Sequence, residues 1–150
     1  MKHRLLMIFA SLGIASFVLA TSVPPVPLKD RVKGADHIFT GVATELVVVD
    51  TMGNVISNAP ATTQIELGLK LTVVPKRILR TTMKTFPDKV VFTYGNGFIL
   101  DVQWEKNRLL GKEMFYFLSG NFASVHALEF SEPMDKEKEI ADYLNDKPAK

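Results

Sequence analysis

In residues 64–73, QIELGLKLTV, every second side chain is apolar. This alternation predicts a β-strand with one buried face, because successive side chains of a strand point to opposite sides. On a helix, the same residues would be scattered around the whole surface. Pro75 follows two residues later and predicts the end of this strand.

Further strands are predicted on both sides of this stretch, where β-branched and aromatic residues lie between turn signals. They cover residues 36–50 with a bend at Gly41, 89–94, 98–104, 114–118 and 122–130. The sequence Gly95-Asn96-Gly97 predicts a hairpin turn, because Asn and Gly tolerate positive φ.

The C-terminal part changes character. Ser131-Glu132-Pro133 has the pattern of a helix start, and Ile140, Tyr143 and Leu144 recur at helical spacing. One amphipathic helix is therefore predicted over about 133–145. Several short strands followed by one helix predict a mainly β fold, either a small antiparallel barrel or a sandwich.

The first 20 residues have the pattern of a cleavable signal peptide. Lys2 and Arg4 form a short positive region, an apolar run follows, and Val18 and Ala20 suit the −3 and −1 positions of a cleavage site after Ala20. The run is shorter than the roughly 20 residues of a membrane-spanning helix. We therefore expect a periplasmic or secreted protein with no stable membrane anchor after cleavage. The alternative is an uncleaved anchor.

The charge balance depends on this leader. The chain has 18 Lys and Arg against 16 Asp and Glu, a formal net charge of +2. Lys2 and Arg4 account for the whole excess, so the mature chain would be neutral. A neutral domain lacks the electrostatic footprint of a nucleic-acid-binding protein, and no nucleic-acid partner is expected.

The remaining chain is divided by composition into three parts. Residues 21–35 predict an extended N-terminal arm, 36–145 a single β-barrel domain with its C-terminal helix, and 146–150 a frayed tail. The chain has no Cys, which excludes disulfides, a Cys nucleophile, thiolate metal sites and a lipid anchor on cysteine. This composition suits a bacterial periplasm.

Three segments together resemble a known group of proteins. They are ADHIFTGV (35–42), LKLTVVPKRILR (69–80) and LGKEMFYFL (110–118). Over about residues 30–130 the chain is similar to secreted bacterial OB-fold domains related to the tissue-inhibitor-of-metalloproteinase and netrin-like group. The resemblance implies an OB-like barrel of five or six strands. It does not carry over the inhibitory mechanism, because those inhibitors grip zinc with an N-terminal cysteine, and the predicted mature N-terminus here is Thr21.

Catalytic and metal sites are not indicated by the residue pattern. His37 and His126, with Asp36 and Glu129, lack the spacing of metal ligands, so neither a metal nor a cofactor is expected. His126 is expected to be partly buried and His37 to lie at the surface. Asp101 and Glu105 are typical of a solvated strand end rather than a glycosidase pair. No serine lies in a nucleophile elbow, and the protein is expected not to be an enzyme.

Two sets of residues are candidate binding sites. Lys76, Arg77, Arg80 and Lys84 form a basic connection over residues 76–88, which is either a solvated loop or a contact for an acidic partner. Among the aromatic residues, which are mostly expected in the core, Tyr94 and Trp104 are the candidates for exposed anchors, because such residues dominate interface energetics.

These patterns predict a non-catalytic exported domain that binds another protein in the cell envelope, as an inhibitor or accessory factor. An anionic envelope polymer is a possible second partner. The alternatives are a barrel that binds a small ligand or polysaccharide, and a hydrolase.

Overall fold

The computed structural model describes residues 25–124 and 128–146. The predicted signal peptide, the first four residues of the predicted arm (21–24), residues 125–127 with His126, and residues 147–150 lie outside these ranges. The elements along the chain are α1 (Leu28–Gly34), β1 (His37–Val49), β2 (Gly68–Arg80), β3 (Val90–Tyr94), α2 (Val102–Leu109), β4 (Glu113–Leu118), β5 (Ser131–Pro133), a 3-10 turn (Met134–Lys136) and α3 (Glu137–Asn145).

The fold is mainly β. Five strands form one sheet in the order β3-β2-β1-β4-β5, and every neighbouring pair is antiparallel. The two edge strands, β3 and β5, are not hydrogen-bonded to each other, so the sheet is not closed in the part of the chain that the structure describes. The mainly β class, the antiparallel sheet and the C-terminal helix are therefore confirmed, whereas a closed barrel is not.

The two long strands β1 and β2 pair with an irregular register. β1 shows three register shifts against β2, one of them between Thr40 and Gly41. A Cβ on Gly41 would lie 2.8 Å from the carbonyl oxygen of Val74, so only glycine permits this approach of the two backbones. One face of the sheet holds the larger cluster of buried apolar residues, including Phe39, Leu71, Tyr116 and Phe130.

The opposite face of the sheet is covered by α1 and α3. Val32 and Ile140 are fully buried there, in a second cluster with Phe115 and Phe117. Arg31 is also buried and forms an ion pair with Glu132. The predicted extended arm is thus wrong over residues 28–34, because burial of one face and packing against α3 stabilise a short helix there.

Strand predictions succeed where both ends carry clear turn signals. Residues 36–50, 89–94 and 114–118 are confirmed as β1, β3 and β4. The stretch 64–73 is displaced: β2 begins at Gly68 and continues through Pro75 to Arg80. Pro75 is tolerated because it pairs with Gly41 beside a register shift, where a backbone N–H is not required.

Two predicted strands are wrong. In place of the strand 98–104, Asp101 accepts a hydrogen bond from the backbone N–H of Trp104 at 2.8 Å and caps α2. Of the predicted strand 122–130, the described residues form only an isolated bridge at Ser124, and the pairing strand is β5. The helix predicted over 133–145 is confirmed as the 3-10 turn and α3.

Candidate interaction surface

One end of the molecule is built from three segments joined by backbone hydrogen bonds. The long β1–β2 connection meets the segment between β3 and α2, where the N–H of Thr63 donates to the Leu100 carbonyl at 2.8 Å. The N–H of Val102 donates to the carbonyl of Ala61 at 2.9 Å, which fixes the start of α2 on the same connection. These bonds give the irregular backbone defined partners, so this end is an ordered surface.

This end carries most of the exposed large apolar side chains among the described residues. Met52, Val55, Ile65, Ile99 and Trp104 all belong to the joined segments, and we call these five residues the apolar end. Ile99 is 67% exposed and Trp104 is 59% exposed. Single exposed apolar residues are ordinary, but a concentration of them at one end is typical of an interaction surface.

Trp104 is held in place by its neighbour one turn along α2. The guanidinium carbon of Arg108 lies 5.4 Å from the centroid of the Trp104 ring and 5.6 Å from that of Phe130. Arg108 therefore lies between an exposed ring and a fully buried one. Cation–π attraction on both sides restrains the Trp104 side chain, which lowers the entropy that it would lose on binding.

The other contacts of Arg108 are partly buried. Its Nη2 donates to Glu105 Oε2 at 2.8 Å, and its Nη1 donates to Ser131 Oγ at 3.1 Å. The hydroxyl of Tyr94 donates to the same Glu105 oxygen at 2.9 Å. Glu105 is only 4% exposed, so its charge depends on these two donors.

Two buried tyrosines, Tyr94 and Tyr116, have raised pKa values. Burial raises the pKa of Tyr94 well above its usual value, and the adjacent Glu105 charge raises it further. Burial likewise raises the pKa of Tyr116, partly opposed by the positive charge of Arg108. Both phenols stay protonated at physiological pH, which does not fit a catalytic base. Tyr94 donates to Glu105, whereas the buried Tyr116 hydroxyl has no hydrogen-bond partner among the described residues.

A groove runs beside α2 on the same end. It has a volume of about 420 Å³ and is lined mainly by apolar residues of β1, the β1–β2 connection and the first turns of α2. Val55 and Val102 form part of its wall, and Lys106 lies at its rim. A groove of this composition can receive apolar side chains of a partner.

Only one of the two predicted anchors is exposed. Trp104 is exposed, in agreement with the prediction, but Tyr94 is only 3% exposed and the prediction that it is an exposed anchor is wrong. Tyr94 lies on the inner face of β3, where its ring packs 4.4 Å from that of Phe130. The alternation of β3 could have indicated this, because Val90 and Phe92 share the same buried face.

Most of the predicted basic connection belongs to a strand rather than a loop. Lys76, Arg77 and Arg80 lie on β2, and only Lys84 lies in the loop that follows. Arg77 forms an ion pair with Glu137 of α3.

Arg80 is likewise engaged within the fold. Its Nη1 donates to the carbonyl of Val32 at 2.6 Å, which links β2 to α1. Lys76 and Lys84 are the members of the basic set for which the described residues provide no ion-pair partner. The four residues therefore do not form one basic surface.

His37 is fully buried, so its predicted position at the surface is wrong. Its Nδ1 lies 2.9 Å from Thr81 Oγ1 and its Nε2 lies 3.3 Å from the carbonyl oxygen of Gly120. The ring packs against Phe86 and Phe122. His37 thus connects the start of β1 to two loops and fills a structural role.

Sequence reasoning missed Glu105 and Arg108. Glu105 was expected at a solvated strand end, whereas it is buried within α2. The two residues are three positions apart, which puts them on one face of a helix. Recognition of Asp101 as a helix cap would have revealed the pair.

Two further properties concern the described residues only. Residues 25–124 and 128–146 contain no cluster of three or more His, Asp or Glu side chains that could hold a metal ion. None of the helices in these ranges combines the length and the apolar character needed to cross a bilayer.

Comparison with known proteins gives no match. No protein-family model matches the chain, and no curated protein or solved structure is significantly similar to it.

Proposed function

We propose that this protein is a non-catalytic exported domain that binds another protein of the cell envelope, as an inhibitor or accessory factor, through its apolar end. The observation that carries the proposal is that five of the eight exposed large apolar side chains of the described residues, Trp104 among them, belong to these hydrogen-bonded segments. Tryptophan and arginine are the residues most enriched at the centres of protein interfaces. Trp104 and Arg108 supply both at one place.

Two features support a binding role over catalysis. Glu105 and His37 are the described acid and histidine with the deepest burial, and each is engaged by structural partners. Their hydrogen-bonding capacity is thus directed into the fold rather than towards a substrate. The export part of the proposal rests on the signal-peptide pattern of residues 1–20.

We also propose that the sheet belongs to a partly open OB-like barrel. The strand order supports this, as does the position of α2 between the third and fourth strands, where OB folds carry a helix. Phe130, just before β5, packs 5.2 Å from Phe92 of β3, so side chains bridge the two edge strands. OB folds are five-stranded, partly open barrels whose β1–β2 loop often binds ligands, and that loop forms much of the apolar end here.

The test is partner capture with the mature protein. Immobilised wild type and the double variant Ile99→Ser/Trp104→Ser are incubated with envelope extract, and the retained proteins are identified. The matched control is Ile78→Ser/Val91→Ser, which removes two exposed apolar side chains from β2 and β3 instead. The proposal predicts that a defined set of partners is lost with the first variant and retained with the control. Equal retention by all three proteins would contradict it.

The basic residues require a separate variant. Lys76→Ala/Lys84→Ala leaves the structural contacts of Arg77 and Arg80 intact. If the partner or an anionic polymer uses these charges, this variant loses binding and the wild-type interaction weakens with salt. Unchanged binding assigns Lys76 and Lys84 to the solvated surface.

A further inference from the structure

A second recess lies at the other end of α2, outside the apolar end. Its volume is about 430 Å³, and it lies between the C-terminal part of α2 and the paired strands β4 and β5. The lining residues are Arg108, Lys112, Glu113, Met114, Ser131, Glu132 and Pro133. Arg108 lines this recess, and its guanidinium also lies 5.4 Å from the exposed Trp104 ring.

The recess brings hydrogen-bond donors and acceptors together. Ser131 is only 8% exposed and its Oγ accepts from Arg108, while no acceptor for its own hydroxyl hydrogen is present among the described residues. Lys112 Nζ donates to the Asn107 carbonyl at 2.7 Å and retains further N–H groups. Glu113, which follows Lys112 in the chain, also belongs to this lining, and its side chain has no ion-pair partner among the described residues.

The charges of this lining are balanced. Arg108 is paired with Glu105, and Glu132 is paired with Arg31. The other two charged lining residues are Lys112 and Glu113, which are of opposite sign. A recess with no net charge does not favour a phosphate or a carboxylate, but it suits a neutral ligand that both donates and accepts hydrogen bonds.

The remaining surfaces add apolar contact. Met114 and Pro133 form an apolar part of the wall, and the Trp104 ring is exposed beyond Arg108. A sugar ring presents hydroxyl groups at its edge and C–H groups on its faces, so it matches a polar lining beside apolar and aromatic surface. We infer that this recess is a binding site for a neutral sugar, with Arg108, Lys112 and Ser131 as donors and Glu113 as acceptor.

The test uses amide NMR spectra of the folded protein during titration with methyl glucoside, with glucuronate and glycerol as comparison probes. The inference predicts saturable shifts at Arg108, Met114 and Ser131 with methyl glucoside, and weaker binding of glucuronate. Glycerol, which lacks a ring, should give only small, non-saturating shifts. Tighter binding of glucuronate would show an anion site instead and would overturn the inference, as would the absence of saturable shifts with methyl glucoside.

Two variants examine the donors. Ser131→Ala and Lys112→Gln each remove one polar contact and should weaken methyl glucoside binding roughly fivefold, the effect of losing one hydrogen bond. The controls are Ser119→Ala and Lys138→Gln, at residues that do not line the recess. If Ser131→Ala fails to fold, the Lys112→Gln variant alone tests the site. Lys112 is exposed, so its replacement should leave the fold intact. Equal affinity of Lys112→Gln and Lys138→Gln would refute the assignment, whatever the outcome of partner capture at the apolar end.

Discussion

The guanidinium of Arg108 lies 5.4 Å from the ring of Trp104 and also forms an ion pair with the buried carboxylate of Glu105. One side chain thus connects an exposed aromatic residue to the core. A substitution of Arg108 therefore changes both the exposed surface of α2 around Trp104 and the buried contacts of Glu105. This relationship determines which substitutions change only binding and which also change stability.

Replacement of Arg108 by Gln should destabilise the fold. Glu105 would keep its buried charge with only the Tyr94 hydroxyl as a donor, and loss of one partner of a buried ion pair typically costs about 3 kcal/mol or more. Because the Arg108 side chain is 24% exposed, we expect a cost of about 2–3 kcal/mol. Urea unfolding followed by circular dichroism measures it.

The matched control for this substitution is Lys136→Gln. Lys136 forms an exposed ion pair with Glu139 at the same three-residue spacing. Its removal should leave the urea midpoint nearly unchanged, since exposed ion pairs contribute little. Equal midpoints for both variants would refute a stabilising role of the buried pair.

Alkaline pH should destabilise the protein through its tyrosines. The chain has three tyrosines, and burial raises the pKa of Tyr94 and of Tyr116, while a hydrogen bond to Glu139 raises that of Tyr143. A group whose pKa is raised by folding stabilises the native state below its unfolded pKa of about 10, and this contribution is lost as the pH rises above that value.

Absorbance of tyrosinate at alkaline pH measures this effect. In the folded protein, Tyr94 and Tyr116 should not ionise until the chain unfolds, so their signal should rise together with the loss of circular dichroism. The Tyr94→Phe variant should reduce this late, cooperative part of the absorbance change. Gradual ionisation of all three tyrosines before unfolding would contradict the burial of the two phenols.

The parts of the fold that could be predicted from sequence are those specified by local pattern. β1, β3, β4 and α3 follow from their apolar periodicity and from turn or helix-start residues at their ends. β2 was displaced because Pro75 normally ends a strand, and its tolerance depends on Gly41 in a neighbouring strand. Such a partnership between distant residues is not visible in local sequence.

The candidate site was predicted only in part, for a similar reason. The exposure of Trp104 was anticipated from residue type, but its position on a helix was not, because Phe98, Leu100, Val102 and Trp104 alternate as in a strand. The Asp101 cap outweighs this alternation. The burial of Tyr94 and Glu105 follows from the packing of α2 on the sheet, which a single sequence does not specify.

Substitution of Gly41 by Ala should be strongly destabilising. The added Cβ would lie 2.8 Å from both the Val74 carbonyl oxygen and Val73 Cγ1, so two central strands would have to separate. We expect a cost of about 2–3 kcal/mol, as for other overpacked sites. Gly120→Ala is the control, because its Cβ would meet only Asp36 Oδ2, at an ordinary 3.5 Å. Thermal unfolding should show a lower midpoint for the first variant alone, and a wild-type midpoint for Gly41→Ala would contradict the close strand approach.

N-terminal sequencing of the exported protein tests the leader. The pattern of residues 1–20 predicts Thr21 as the first residue of the mature chain. Ala20→Arg should block processing, because a signal peptidase requires a small residue at the −1 position. The control is Thr21→Ser, which changes the residue after the cleaved peptide bond and should leave cleavage intact. Ala10→Arg is not a suitable control, because it interrupts the apolar run of the signal peptide. Retention of Met1 in wild type would refute the signal-peptide prediction, and a different first residue would move the cleavage site.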